Sequence, residues 1–130
     1  MYFSGGFVPV DELVGAIAAA DVGVVAMKRD PFRDVTLAGK IFDFIVLRRP
    51  VVASRTRSLE RAFDACSVEL FESEDVEDLA RAIRVLHADP ERRRRMAERA
   101  AEVAEPYRWV HQRKVYLRVV ERLLDGGGPR

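Results

Sequence analysis

Two short apolar runs, Val22-Gly23-Val24-Val25-Ala26-Met27 and Val51-Val52-Ala53, constrain this chain more than anything else in it. Neither alternates polar with apolar residues, and both are too short for a core helix, so each reads as a strand covered on both faces. Between them lie a polar stretch containing Pro31 (residues 28–36) and an apolar stretch long enough for a buried helix (residues 37–47). Strand, helix and strand in that order form a crossover, which makes the two strands parallel.

The alternation extends to both sides. Residues 1–4 are short and aromatic, and Gly5-Gly6 and Pro9 break them off. Residues 11–20 read as a helix with an acidic first turn and an alanine-rich body. Pro50 stops the buried helix. Residues 57–64 predict a short helix and residues 67–71 a last strand. Three helices then follow without strands. Asp75 caps the first, with Val76, Leu79, Ala80, Ile83 and Leu86 on one face. Asp89-Pro90 starts the second. The third covers residues 109–124, with Trp109, Tyr116, Val120 and Leu123 on one side, and residues 126–130 read as a disordered tail. The fold class is α/β: a parallel sheet of three to four strands, helices on both faces, and a helical C-terminal tail.

Composition narrows the function. The 130 residues suit one modest domain, and 48% apolar with 33% charged residues can bury a core. A formal net charge of +1 argues against a strongly basic nucleic-acid binder. Lysine stands only at Lys28, Lys40 and Lys114, the other basic residues being arginine. The lone Cys66 excludes an internal disulfide or a multi-cysteine zinc site, and reads as a small core residue. No apolar run approaches the roughly 18 residues of a membrane span, and the N-terminus lacks a basic segment followed by an apolar one. The expectation is a soluble, cytoplasmic domain.

In parallel sheets, ligands bind beyond the carboxyl ends of the strands. That rule singles out residues 5–9, 28–36 and 54–57. The most informative segment is Thr36-Leu37-Ala38-Gly39-Lys40-Ile41-Phe42-Asp43, which opens the buried helix. Lys40 and Asp43 lie three apart on one face, so they form either a local surface pair or part of a site. As a site, the helix N-terminus offers free N–H groups and a favourable dipole to a phosphate. Gly39 permits close approach, Lys40 adds charge, and Asp43 accepts hydrogen bonds from sugar hydroxyls. Lys28, Arg29 and Arg33 lie in the preceding loop, either as cations for a diphosphate or as ordinary loop charges. Gly6 permits backbone conformations that other residues avoid, a weak signal by itself.

Arg92-Arg93-Arg94-Arg95 spread around a helix rather than forming a stripe. With Glu91 and Glu98 nearby they read as a solvated helix; the alternative is a peripheral attraction to anionic lipid at the inner face of a membrane. His87 and His111 have no partners at metal-ligand spacing, and the acidic residues 72–78 read as helix-start chemistry. No metal site and no nucleophilic triad are expected.

Taken together, several segments resemble the C-terminal half of retaining glycosyltransferases of family 4. They are Phe3-Ser4-Gly5-Gly6-Phe7-Val8-Pro9, Glu12-Leu13 and Ala20-Asp21-Val22-Gly23-Val24. Lys40-Ile41-Phe42-Asp43-Phe44 and Arg49-Pro50-Val51-Val52-Ala53-Ser54 resemble that family's Lys-Leu-Phe-Glu-Tyr and Gly-Lys-Pro-Val-Val-Ala-Ser signature. Asp78-Leu79-Ala80 with Ile83, Asp89-Pro90-Glu91 and Tyr107-Arg108-Trp109 resemble its closing helices. The resemblance implies a GT-B architecture of two Rossmann-like domains, with a nucleotide diphosphate sugar as substrate and no metal or other cofactor. It points the N-terminus of helix 37–47 at the donor diphosphate and sets Asp43 on the ribose. The family's Glu-x7-Glu pattern then places Val35, not an acid, at its first position, with Asp34 one residue off.

The implied organisation is an incomplete Rossmann-like nucleotide-sugar-binding domain over residues 1–105. Residues 106–125 form a C-terminal helix that packs back on it or toward a missing N-terminal acceptor domain. Such a piece is expected to be inactive alone. In the strand order 3-2-1-4-5-6 it holds strands 3, 4, 5 and 6, so the strand at residues 2–4 is displaced and the strand at residues 22–27 exposes an edge. Two other readings are a GT-B-type nucleotide-sugar epimerase fragment, which needs an acid–base pair, and a non-catalytic Rossmann-like binding module.

Overall fold

Strand β2 (Val51–Ser54) is buried along its whole length and organises the molecule. The structure is a computed structural model and describes residues 6–125. Parallel partners flank β2 on both sides, β1 (Gly23–Val25) and β3 (Glu69–Phe71), in the order β1-β2-β3. Val24 pairs with Val52, and Ala53 with Leu70. The expected strand at residues 2–4 and the tail at residues 126–130 lie outside the described residues. Among the described residues β1 pairs with β2 alone.

The alternation of side chains along β2 builds two cores. Val51 and Ala53 face Ile41 and Ile45 of helix α2 (Gly39–Val46), Leu59 of helix α3 (Arg57–Ala62), and Ala100 and Ala104 of helix α5 (Pro90–Ala104). Val52 and Phe71 face the other way, toward Ala82 and Leu86 of helix α4 (Val76–Ala88) and Met96 of α5. Helices therefore cover both faces of the sheet. Burying each such aliphatic side chain contributes ~1.5–3 kcal/mol, so β2 with its two cores carries much of the stability.

Helix α2 is seated by shape. Its Phe44 lies on Gly23 of β1, where any Cβ would overlap the ring. It ends in a Schellman turn: the Arg48 N–H donates to the Ile45 carbonyl at 3.0 Å and the Arg49 N–H to the Phe44 carbonyl at 2.9 Å. Arg48 holds the left-handed conformation (φ 56°) that glycine adopts more cheaply.

At the opposite edge, β3 is protected by side chains. Arg81 donates to the Leu70 carbonyl at 3.1 Å and to Glu69 Oε1 at 2.7 Å, while Arg92 donates to Glu69 Oε2 at 2.6 Å. Guanidinium groups there occupy the place a further strand would take. The arginine run is thus more than a solvated face. Arg93 donates to the Leu86 and His87 carbonyls at the end of α4, and Arg94 bridges Glu91 and Glu98.

Two expectations about burial fail. On α4 the buried side chains are Ala82 and Leu86, whereas Val76 is 75% exposed and Ile83 39% exposed. Cys66 is exposed, because it stands in the turn before β3 and not in the strand itself.

Helix α1 (Val10–Ala19) has no buried residue. Beyond α5, a 3-10 turn (Glu105–Tyr107) leads into helix α6 (Trp109–Leu124), which also has no buried residue and meets the domain chiefly at that turn. Tyr107 closes the first core from below, in contact with Phe42 and Phe63.

Candidate functional site

Because the three strands are parallel, their carboxyl ends share one rim with the N-termini of the helices that follow them, α2, α3 and α4. Each helix start leaves backbone N–H groups without partners inside the helix. At α3 they are met by the Thr56 hydroxyl, which accepts from Leu59 at 3.4 Å, and by the Asp34 carboxylate, which accepts from Arg57 at 3.2 Å. At α4 Asp75 accepts from Asp78 at 2.9 Å. At α2 the capping position is Ala38, and no side chain accepts from its first turn. Nothing lies within 4 Å of where a Gly39 Cβ would stand. Of the three helix starts on this rim, α2 alone is left open.

The exposed face of α2 carries Gly39, Lys40 and Asp43. Lys40 and Asp43 do not pair with each other, and neither forms an ion pair with any described residue. The local surface pair that their spacing permits is therefore not formed. Leu37 and Ala38 pack partly buried against the first core, and the Thr36 carbonyl accepts from the Ser58 hydroxyl at 2.8 Å. These three residues hold the start of α2 in place. Gly6 is exposed, with open space around it.

The loop cations are engaged within the protein. Arg29 Nε donates to both Asp34 oxygens at 2.9 and 3.1 Å, Arg33 pairs with Asp30, and Lys28 lies 3.2 Å from Glu74. Each of the three already has a carboxylate partner. Both members of the Lys28–Glu74 pair are mostly exposed, and such a pair is worth only ~0–1 kcal/mol, so it yields readily to another anion. Arg29 is more firmly committed, because Asp34 also accepts from the Arg57 N–H and is largely covered.

Asp34 accordingly pins loop 28–36 to α3. Burial pushes its carboxyl up, but the hydrogen bonds from the Arg57 N–H and Arg29 outweigh that and leave it below the ordinary value. Arg29 and the Arg57 N–H hold it in this role. Asp34, Val35 and Arg57, with Arg29, Asp30 and Pro31, line an open cavity of about 340 Å3.

Three further residues shape the rim through hydrogen bonds that sequence reasoning did not assign to them. Ser54 accepts the Met27 N–H at 2.8 Å; Ser73 accepts the Arg29 N–H at 2.9 Å and donates to the Met27 carbonyl at 3.0 Å. Asp34 is the third. The available signal was positional, since Ser54 closes the run Val51-Val52-Ala53 and Ser73 stands two residues after Phe71 at the end of the next strand.

The structure also forms one imidazole–carboxylate pair that spacing did not suggest, His111 with Glu105 at 3.1 Å. It stands exposed where α6 begins. His111 and Arg108 together hold the Glu105 carboxyl below its ordinary value. Among the described residues, no three His, Cys, Asp or Glu side chains gather as a metal site.

The fold and this rim define an α/β domain of the parallel-sheet class, whose ligand positions lie at the strand carboxyl ends. The chain belongs to the glycosyl transferase-like family, whose sequence model matches residues 2–125. No curated protein and no solved structure matches it.

Proposed function

We propose that this glycosyltransferase-like domain binds the nucleotide diphosphate sugar donor of a retaining family 4 enzyme with GT-B architecture, and that the acceptor is held by a separate domain. The observation that carries this reading is the open start of α2, on a rim where α3 and α4 are capped by the protein's own oxygens. The donor diphosphate lies against the first-turn N–H groups of α2, where the helix dipole favours negative charge. Lys40 adds a mobile cation, and Lys28 exchanges Glu74 for a phosphate oxygen. Asp43 accepts hydrogen bonds from the ribose hydroxyls.

In the transfer, the bond between the sugar's anomeric carbon and the diphosphate oxygen breaks, and a bond from that carbon to an acceptor oxygen forms. The electron pair of the broken bond stays on the nucleotide diphosphate, and the acceptor's proton passes to a phosphate oxygen of that leaving group or to solvent. Charge therefore grows on the leaving phosphate, where fixed N–H dipoles and Lys40 stabilise it most. This reading calls for no metal.

Calorimetric titration with UDP, GDP and ADP tests it. One nucleoside diphosphate is expected to bind, with Asp43→Ala and Lys40→Ala each weakening binding. Unchanged binding in the Asp43→Ala variant would remove the ribose assignment. Failure of all three nucleotides to bind a chain complemented with an acceptor domain would remove the donor site.

A further inference from the structure

We propose that the space between loop 28–36 and α3 is a subsite for a sugar bearing an acidic group, a carboxylate or a phosphate. Two cavities, of about 340 and 330 Å3, adjoin there and share Asp34, Val35 and Arg57 in their walls. The second also takes in Leu37, Arg61, Ala62 and Tyr107. Leu37 immediately precedes Ala38, the open cap of α2, and Arg57 is the first residue of α3. The subsite thus lies on the ligand rim, next to the helix start assigned to the diphosphate. That the bound molecule is a sugar rests on that assignment; the cavity and its charge do not.

Charge here is not balanced within the protein. The Asp34 oxygens already accept from Arg29 Nε at 2.9 and 3.1 Å and from the Arg57 N–H at 3.2 Å, and Asp30 pairs with Arg33. The Arg57 guanidinium stands 3.9 Å from Asp34, beyond hydrogen-bond distance, with its side chain 72% exposed. Glu60 is taken by Arg55 and Asp64 by Arg99, so Arg61 has no ion-pair partner among the described residues. Arg57 and Arg61 are four residues apart on α3, where like charges on one face repel. Other cations also lack ion-pair partners, Lys40, Arg48, Arg84 and Arg95 among them. Arg57 and Arg61 differ from these in lining one cavity together, with its carboxylate already engaged. An acidic group between them takes forked, charge-assisted hydrogen bonds from both and relieves their repulsion. The C–H face of the ring then packs on Val35, Leu37 and Ala62.

The acidic group belongs either to the transferred sugar or to the acceptor, and the probes separate the two. The full chain is titrated with UDP-glucuronate and UDP-glucose by calorimetry, and with glucuronate, glucose 6-phosphate and glucose by saturation-transfer NMR. Tighter binding of UDP-glucuronate than of UDP-glucose, by about tenfold, places the acid on the donor. Equal binding of those two, with glucuronate or glucose 6-phosphate preferred over glucose, places it on the acceptor. In either case Arg57→Gln combined with Arg61→Gln removes the preference and leaves binding of the neutral probe unchanged. Arg84→Gln with Arg95→Gln, which removes as much charge away from the cavity, keeps the preference. Both arginines of the subsite are exposed, so their double variant should unfold at or above the midpoint of the parent. No preference for acidic probes, a preference that survives the Arg57 and Arg61 substitutions, or one lost equally in the Arg84 and Arg95 variant would overturn the proposal. Nucleoside diphosphate binding that is weakened by Asp43→Ala, without any acidic preference, would sink this subsite and leave the donor reading standing. The reverse pattern would remove the donor site and leave the subsite.

Discussion

Gly23 shows how one atom decides the packing of α2. A Cβ there would enter the Phe44 ring, so Gly23→Ala should cost ~1–3 kcal/mol, the usual penalty for overpacking a tight contact. Adding Phe44→Leu should return part of that loss in urea unfolding, since the smaller side chain can withdraw. Arg48 gives the opposite sign. Its backbone sits at φ 56° in the closing turn of α2, so Arg48→Gly should raise stability by ~1 kcal/mol. A lowered urea midpoint for Arg48→Gly would mean that the arginine side chain outweighs the backbone strain. Both positions are single letters in the sequence, but only Gly23 has a neighbour that makes glycine necessary. That neighbour is 21 residues away and was not legible before folding.

At the scale of elements, helix starts separate structural from functional design. Asp75 and Asp89 were legible as caps, since an Asp before an apolar-periodic run, with Pro90 beside one of them, announces a helix locally. Ala38 announces nothing. Placing a cap there gives α2 what its first turn lacks, so Ala38→Asp should raise the melting temperature by an amount worth ~1 kcal/mol. The same carboxylate would occupy the position proposed for the diphosphate. Ala38→Asp should therefore gain stability and lose nucleoside diphosphate affinity in one substitution, read by thermal unfolding and calorimetry. Unchanged affinity in a stabilised variant would argue that the phosphates lie elsewhere.

Over the whole molecule, acidity tests how far ion pairs tie the loops to the sheet. Five carboxylates are held below their ordinary values. The Arg33 N–H lowers Asp30, Arg81 lowers Asp78, and His111 lowers Glu105; in Asp34 and Asp64, burial acts upward but is outweighed by Arg57 and Arg29 and by Arg99. A carboxylate depressed by folding contributes stability that is fully present above its unfolded pKa, about 4, and is lost as pH falls through the folded value. The unfolding midpoint should thus be flat near neutrality and fall below about pH 4. High salt should blunt the fall, because these groups lie near the surface.

What the sequence by itself determined is local: three parallel strands, the helices between them, their caps, and the α2 segment as the place to look for a ligand. These follow from periodicity, proline and capping residues, which act over one or two helical turns. Tertiary structure alone decided which of the candidate charges are free. Arg29 is taken by Asp34, Arg33 by Asp30 and Lys28 loosely by Glu74, while Lys40 and Asp43 have no ion-pair partner among the described residues. It also decided that Cys66 faces solvent, that α4 buries Ala82 beside the expected Leu86 and leaves Val76 and Ile83 exposed, and that α6 leaves its apolar side uncovered. The reason is common to all of these. Charge pairing and burial depend on which distant segments arrive beside a residue, and no short-range pattern encodes that arrival.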